Sequence, residues 1–579
     1  MAAALQYGGY VALLIVLAVP LGFYIEKVMA GRPVALTRLL APAERAWYRL
    51  LHIDAAEEMG WQKYLACVLA FSALGFLLLF LLLVTQQGLP LNPQGWGNIS
   101  WDLAFNTAAS FVTNTNWQAY SGEAQLSYLT QLLGLTVQNF VSAGTGMAVL
   151  FAFFRGFVRT GAKTIGSFWV DLTRSVLYVL LPLAVVVAIG LGSQGVIQNF
   201  SDYQAATMTE PVTMADGSVV TKQVIPMGPA ASQVAIKQLG TNGGGFFGTN
   251  SAHPLENPTP FSNLIELLSI LLLPAALCFS FGRSVFDIRQ GRALFIAMLL
   301  AMLLGLGTMA VNEQAGTAAL AQDGAVVMEA GERQPGGNME GKEARFGIAS
   351  SVTWAEFTTA ASNGSVNSMH DSYTPLGGLT AMLNMQLGEV IFGGVGCGLY
   401  GMLAFAILTV FIAGLMVGRT PEYLGKKIEP YEMKMAVLVC LATPVAILIG
   451  SGIAALLPGT MDSLTNHGAH GFSELLYTYS SAGGNNGSAF AGFGADTLFV
   501  NLSLGFIMLF ARFVPMAAIL AIAGSLAAKK HIAVTAGTLR TDNAMFIGLL
   551  LAVVLLVGAL SFFPALALGP VAEFLQAGA

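Results

Sequence analysis

The sequence predicts an all-α polytopic membrane protein. It has ten transmembrane helices, organised as four membrane–pore–membrane repeats around a pseudo-fourfold axis, with two helices left over. Three observations carry that reading. The composition is that of a membrane chain, 55% hydrophobic and only 10% charged, with a mean hydropathy of +0.68. Ten apolar runs are each long enough, at about 20 residues, to cross a bilayer core as helix. A short polar loop rich in Gly and Asn returns four times, at a step of about 120 residues.

The apolar runs are Tyr7–Ile25, Tyr64–Val84, Leu126–Phe154, Ser175–Leu191, Asn263–Phe281, Ala293–Val311, Leu379–Met416, Met435–Leu457, Thr497–Ala523 and Ala544–Phe563. Residues 1–63 hold the first extra helix and a long connection. Repeats one to four occupy 64–154, 175–281, 293–416 and 435–523, and 544–579 holds the last extra helix. No basic region precedes Tyr7–Ile25, so a retained helix is expected there rather than a cleaved signal peptide. Of the 26 Lys and Arg residues, only Lys222, Lys237, Arg333, Lys342 and Arg345 fall in one of the two alternating sets of connections. The positive-inside rule makes the other set cytoplasmic and puts both termini outside. All four polar loops then lie in outward connections.

The loops read Thr113-Asn114-Thr115-Asn116, Thr241-Asn242-Gly243-Gly244, Ser362-Asn363-Gly364-Ser365 and Asn485-Asn486-Gly487-Ser488, taken in register as written. Each follows a stretch that reads as a half-helix dipping in from outside: Ser100–Val112, Pro229–Gly240, Thr353–Ala361 and Phe472–Ser481. Helix-entry signals stand at their starts: Ser100 before Asp102, Pro229, a capping box Thr353…Glu356, and Ser473-Glu474. A half-helix ending at an axis aims its negative dipole end there, which favours a cation. Non-helical backbone at membrane depth is costly unless it is buried or lines water. Glycine tolerates the alternating twists that turn successive carbonyls toward one axis. Four such loops make rings of oxygens in place of a hydration shell. No Asp or Glu lies in the loop cores, so a monovalent ion such as K+ suits the cage better than Ca2+ or Mg2+. The asparagines Asn114, Asn242, Asn363 and Asn486 are expected to brace the loops.

Other features are weaker. Leu126–Phe154 carries Gln131, Thr136, Gln138, Asn139, Ser142 and Thr145, a polar face for either a cavity or a neighbouring helix. Leu379–Met416 is nearly two crossings long and interrupted by Gly388, Gly393, Gly394, Gly396, Gly398 and Gly401. It reads as a broken helix with an intramembrane loop from about Gly388 to Gly401, a candidate gate. Arg512 lies within an apolar run, facing a cavity below the loops or snorkelling to the interface. His253 and His370, near loops two and three, read as structural. The four cysteines, Cys67, Cys278, Cys397 and Cys440, read as buried hydrophobes. A net charge of −5 gives no sign of nucleic-acid binding. Residues 211–223 read as a small hairpin and Gln322–Arg345 as a surface loop.

Four strings resemble one family: Phe111-Val-Thr-Asn-Thr-Asn-Trp-Gln118; Gly240-Thr-Asn-Gly-Gly-Gly-Phe-Phe247 with Asn250-Ser-Ala-His-Pro-Leu-Glu-Asn-Pro258; Val366-Asn-Ser-Met-His-Asp-Ser372; and Asn485-Asn-Gly-Ser-Ala-Phe-Ala-Gly492. They are similar to the KdpA family, the potassium-binding subunits of the bacterial Kdp potassium-transporting P-type ATPase. The resemblance covers essentially the whole chain. Loop four departs from the purer Asn run of that family. The resemblance implies the potassium transporter/channel fold, a place in the bacterial cytoplasmic (inner) membrane, and capture of external K+. It implies partners KdpB, which hydrolyses ATP, KdpC and KdpF, besides membrane lipids, and an ion path leaving sideways into KdpB. It implies that Gln118 supports the first filter strand, that the Gly393–Gly398 stretch gates the vestibule, and that Arg512 sits below the filter.

Independently of that likeness, the chain has no Asp-Lys-Thr-Gly phosphorylation motif and no cytoplasmic segment long enough for a nucleotide domain. Gly161-Ala-Lys163-Thr164 lacks the Gly-Lys pair of a phosphate loop. No ATP site or organic cofactor is expected, and the chain by itself is expected to be non-catalytic. The rival readings are a self-sufficient channel or symporter of the same superfamily, and a membrane enzyme. The enzyme would need an intramembrane nucleophile–base or metal set that the sequence does not offer.

Overall fold

The computed structural model describes residues 2–317, 327–331, 336–388, 390–416, 418, 420–533 and 538–577. Among them are ten helices long and apolar enough to cross a membrane. These are α1 (Ala2–Met29), α3 (Trp61–Thr85), α5 (Thr130–Val158), α6 (Phe168–Ser193), α8 (Pro260–Ser284), α9 (Ile288–Ala315), α12 (Cys397–Met416), α13 (Pro430–Ala455), α15 (Leu498–Ala528) and α16 (Ala544–Leu568). α2 (Thr37–Leu50) has no buried residue. Its Arg38, Arg45 and Arg49 and its exposed Leu39, Trp47 and Leu50 suit a helix lying on a membrane surface.

Each helix pair encloses a shorter helix that starts at one face and stops inside: α4 (Trp101–Val112), α7 (Ala230–Leu239), α10 (Gly347–Ala360) and α14 (Gly468–Gly483). Two of these begin earlier than expected. Thr353 and Ser473 therefore lie inside helices, donating to Ala349 O and Ala469 O, and cap nothing. Glu356 is fully buried and accepts from Asn384 Nδ2 at 3.0 Å. It is part of the packing around the loops, not a capping box.

Both chain ends lie at the face where the short helices begin. Gln6 Nε2 donates to Ser350 Oγ at the start of α10. Glu573 of the last helix, α17 (Pro570–Ala577), pairs with His470 at the start of α14. A hairpin of β1 (Gln204–Thr213) and β2 (Val219–Ile225) stands on the same side, between α6 and α7. Part of the expected surface loop Gln322–Arg345 lies outside the described residues.

The broken helix is present, with a narrower break. α11 (Pro375–Gln386) ends and α12 begins at Cys397. Gly388, Gly393 and Gly396 have positive φ between them, as does Phe392. Gly398 and Gly401 belong to α12, where small residues allow close packing: a side chain on Gly398 would strike Phe392 O.

Candidate functional site

The four short helices converge on their C-terminal ends, and each hands over to its loop in the same way. The amides of Thr115, Asn242, Asn363 and Asn486 donate to the carbonyls of Ser110, Lys237, Thr358 and Ser481, each five residues back, at 2.8–2.9 Å. This wide closing turn fixes the register of the loops. Loops two to four align as expected. Loop one is offset by one: Asn116, and not Thr115, corresponds to Gly243, Gly364 and Gly487, and Asn114 corresponds to Thr241, Ser362 and Asn485. Of the four asparagines expected to be equivalent, Asn114 is therefore the exception, and Thr115 holds the place of Asn242, Asn363 and Asn486.

In this register the backbone alternates in hand. φ is positive at Asn114 and Asn116, Thr241 and Gly243, Ser362 and Gly364, and Asn485 and Gly487, and not at the one residue between each pair; strand two alone continues left-handed, at Gly244. Side chains rarely tolerate that region. It recurs at all four strands because alternating hand turns neighbouring carbonyls to a common side.

The strands touch in cyclic order. Asn114 Nδ2 donates to Thr241 O at 2.9 Å, and Asn116 Nδ2 to Gly243 O at 3.0 Å. Strand two abuts strand three, where a side chain on Gly243 would collide with Asn363 O. Ser362 Oγ donates to Asn485 O at 2.9 Å, and Gly364 lies against Asn486 O. Asn485 Nδ2 donates to Thr115 Oγ1 at 2.9 Å, and Gly487 lies against Thr115 O. Strand four thus meets strand one and the ring closes. Every residue of the four loops from position 113 to 116, 241 to 244, 362 to 365 and 485 to 488 is buried or nearly so.

A family model described as "KdpA: Potassium-transporting ATPase A subunit" matches residues 9–575. The chain belongs to that family. It is 67% identical over 574 residues to the "potassium-transporting ATPase potassium-binding subunit" of Clostridium perfringens, covering 99% of each chain. It is 66% identical over 572 residues to the protein of the same name from Clostridium botulinum, again covering 99% of each. A crystal structure of the potassium transporter TrkH from Vibrio parahaemolyticus superposes with a TM-score of 0.49 at 14% identity, over 87% of this chain and 96% of that one. The fold assignment itself rests on the ten helices and the closed four-strand ring.

Behind the ring, each short helix braces its own strand. Ser110 Oγ donates to Trp117 O, Lys237 Nζ to Gly244 O, and Thr358 Oγ1 to Ser365 O, at 2.7–2.9 Å. Ser481 Oγ accepts from Gly487 N at 2.9 Å. Half of the polar face of α5 is spent on the loops, while Gln138 lines a separate apolar pocket and Thr136 and Thr145 bond back to their own helix. Asn139 Oδ1 accepts from Asn116 Nδ2, Ser142 Oγ donates to Asn114 Oδ1, and Gln131 Nε2 donates to Phe246 O. Gln118 bridges strands one and two, accepting from Gly245 N at 2.8 Å and donating to Gly245 O at 3.0 Å.

Above the ring, on the face of the chain ends, opens a cavity of about 770 Å3 lined by Gln118, Tyr120, Gly364, His370, Gly487 and Asp496 among others. His370 is structural as expected: Nδ1 shares a hydrogen bond of 2.8 Å with the Tyr477 hydroxyl, which reaches Ser488 Oγ. His253 stacks on Phe247 at 4.1 Å. Burial, and then the charge of Arg345, push it down to about 4.

Below the ring lies the break in repeat three. Val395 N donates to Thr241 Oγ1 at 2.8 Å, and Gly393 N to Ala360 O at 2.9 Å. Gly396 packs on Gly146 O of α5, and Gly394 O accepts from Gly398 N. Arg512, 3% exposed, reaches the same spot beside Gly146. It is a buried group under the ring and does not snorkel.

Sequence reasoning missed the buried charges next to strand two. Lys237 pairs with Glu256, 19 residues away, and Ser251 connects Glu256 to Glu266. The one available signal was that Lys237 is a charge inside a half-helix meant to be buried.

Proposed function

We propose that this chain is the K+-binding and K+-translocating subunit of an ATP-driven uptake complex, and that the four-strand ring is its K+ filter. The observation that carries this is the closed ring of strands with alternating hand, free of Asp and Glu, at the C-terminal ends of four converging helices. Neutral carbonyl dipoles, and helix ends with partial negative charge, stabilise a monovalent cation without the carboxylates that divalent ions favour. The names of the relatives support K+ as the ion.

Ions enter from the face of the 770 Å3 cavity, which is the outer face of the inner membrane. Both termini lie outside, because the basic connections lie on the opposite side. The filter residues are Asn114, Thr115 and Asn116, with Thr113 capping the helix before them, Thr241 to Gly244, Ser362 to Ser365, and Asn485 to Ser488, with Gln118 in support. The Gly393–Gly398 stretch and Arg512, pressed against strand two and α5, form the gate below. The chain holds K+ as cargo and leaves ATP hydrolysis to KdpB, with KdpC and KdpF completing the complex.

Equilibrium binding of radiolabelled Rb+ to the purified protein, with and without Gly243→Asp, tests the filter. The variant places a side chain against Asn363 O and a carboxylate in a neutral ring. Binding is expected to be lost, and undiminished binding refutes the site.

A further inference from the structure

The four braces behind the ring occupy one helical position, yet they differ in chemistry. Ser110, Thr358 and Ser481 act through hydroxyls, and Lys237 acts through an ammonium. The strand it holds also differs. Strand two runs Gly243-Gly244-Gly245, where strands three and four carry Ser365 and Ser488. Each of those serines bonds back to the asparagine of its own strand, to Asn363 Oδ1 and Asn486 Oδ1. A run of three glycines has no side chain to anchor and the most backbone freedom to lose.

The structure compensates from outside the strand. The Lys237 side chain is 1% exposed and that of Glu256 fully buried. The ammonium donates to Gly244 O at 2.8 Å and to Ser251 Oγ at 3.1 Å, and pairs with Glu256. The second oxygen of Glu256 accepts from the amides of Phe246 and Phe247 at 3.1 and 3.3 Å. One ion pair therefore grips the glycine run at Gly244 and just beyond it. Hydrogen bonds to charged groups are stronger and shorter than neutral ones. A buried ion pair is a poor source of net stability and is better suited to fixing one geometry.

We propose that Lys237 is a positioning residue that sets the ion selectivity of the ring, by holding the Gly243–Gly245 run to one backbone path, left-handed at Gly244 where the aligned Ser365 and Ser488 are not. The proposal rests on reading the ring as a K+ filter. A loosened strand lets its carbonyls close on a smaller ion, so the loss falls on K+/Na+ discrimination first.

The test uses the purified full-length chain and displacement of radiolabelled Rb+ by K+ and by Na+. Lys237→Met/Glu256→Gln removes the ion pair and the brace. Lys237→Thr/Glu256→Gln removes the ion pair but copies Thr358. In the Met variant Na+ is expected to displace Rb+ roughly tenfold better relative to K+, the factor that corresponds to one lost charged hydrogen bond. The Thr variant is expected to stay within about threefold of the parent. Parental discrimination in both variants overturns the proposal, and so does an equal loss in both, or loss of all Rb+ binding in both. If the Met variant does not fold, the Thr variant decides: near-parental discrimination supports the brace, and impaired discrimination overturns it. Failure of the parent protein itself to bind Rb+ would refute the filter reading and not the brace.

Discussion

Strands two and three share a backbone path as far as Gly243 and Gly364, and differ in almost everything that holds it. Strand three is secured from within: Ser365 bonds Asn363, Thr358 bonds Ser365 O and receives Gly364 N, and Trp354 Nε1 adds a second bond to Ser365 O. From Gly243 onward strand two has no side chain with which to do this, and it is secured by a buried ion pair and by Gln118 across the ring. The same geometry thus has a local solution and a long-range one. Local braces can be removed singly at modest cost. Long-range ones carry an unpaired buried charge with them when broken.

The largest effect expected is at the glycines themselves, where both strands depend on the absence of a side chain. Gly364→Ala forces a Cβ at φ +92 into Asn486 O. Strain at such a position and the collision together cost about 3 kcal/mol or more. Rb+ binding should weaken by at least about a hundredfold. Asn116, at the same register in strand one, already carries a side chain at φ 54. Asn116→Gly removes only its bonds to Gly243 O and Asn139, so a loss of about fivefold is expected. If the two variants bind Rb+ equally, the aligned register is wrong.

Next in size are the hydroxyl braces. Thr358→Val removes the donor to Ser365 O and leaves Gly364 N without its buried acceptor. An unmet buried amide costs about 1–3 kcal/mol, so binding should fall about tenfold. Ser110→Ala loses one bond, to Trp117 O, and should cost about 1 kcal/mol or less. Rb+ titration of the two variants ranks them, and a larger loss for Ser110→Ala would end the claim that strand three is held mainly from within.

How much of this could be read in advance follows from where each signal resides. The ten crossing helices were legible because a bilayer demands long apolar runs, and such runs leave a mark in any window. The four loops were legible because Asn and Gly interrupt those runs at a fixed step. The register of loop one was not. Thr113-Asn114-Thr115-Asn116 contains no glycine to mark the turn, and the frame shows only in the folded chain, in the bond from Thr115 N to Ser110 O and the positive φ of Asn114 and Asn116. The limits of the break were misjudged for a related reason. A glycine permits both a left-handed turn, as at Gly396, and close helix packing, as at Gly398. The polar residues Thr353 and Glu356 imitate a capping box, but they are polar because they surround the ring. Lys237 and Glu256 meet only through the fold, and no local pattern announces a partner 19 residues distant.

The smallest effect concerns the edge between quadrants three and four, where charge also acts but near water. His470, at the start of α14, pairs through Nε2 with Asp371 behind strand three and through Nδ1 with Glu573 of the C-terminal helix. Burial opposes its charge, but hydrogen bonds to the Asp371 and Glu573 carboxylates outweigh that and push it up to about 10. A group whose folded value is raised gives its full stabilisation below its unfolded value, near 6.5, and loses it as pH rises to the folded value. The parent should therefore exceed His470→Gln in thermal stability most at about pH 6, by about 1 kcal/mol at this partly exposed site. The gap should shrink through about pH 8 and vanish above about pH 10. Unfolding scans of both proteins at three pH values measure it. A gap that does not change with pH would mean that His470 contributes packing alone.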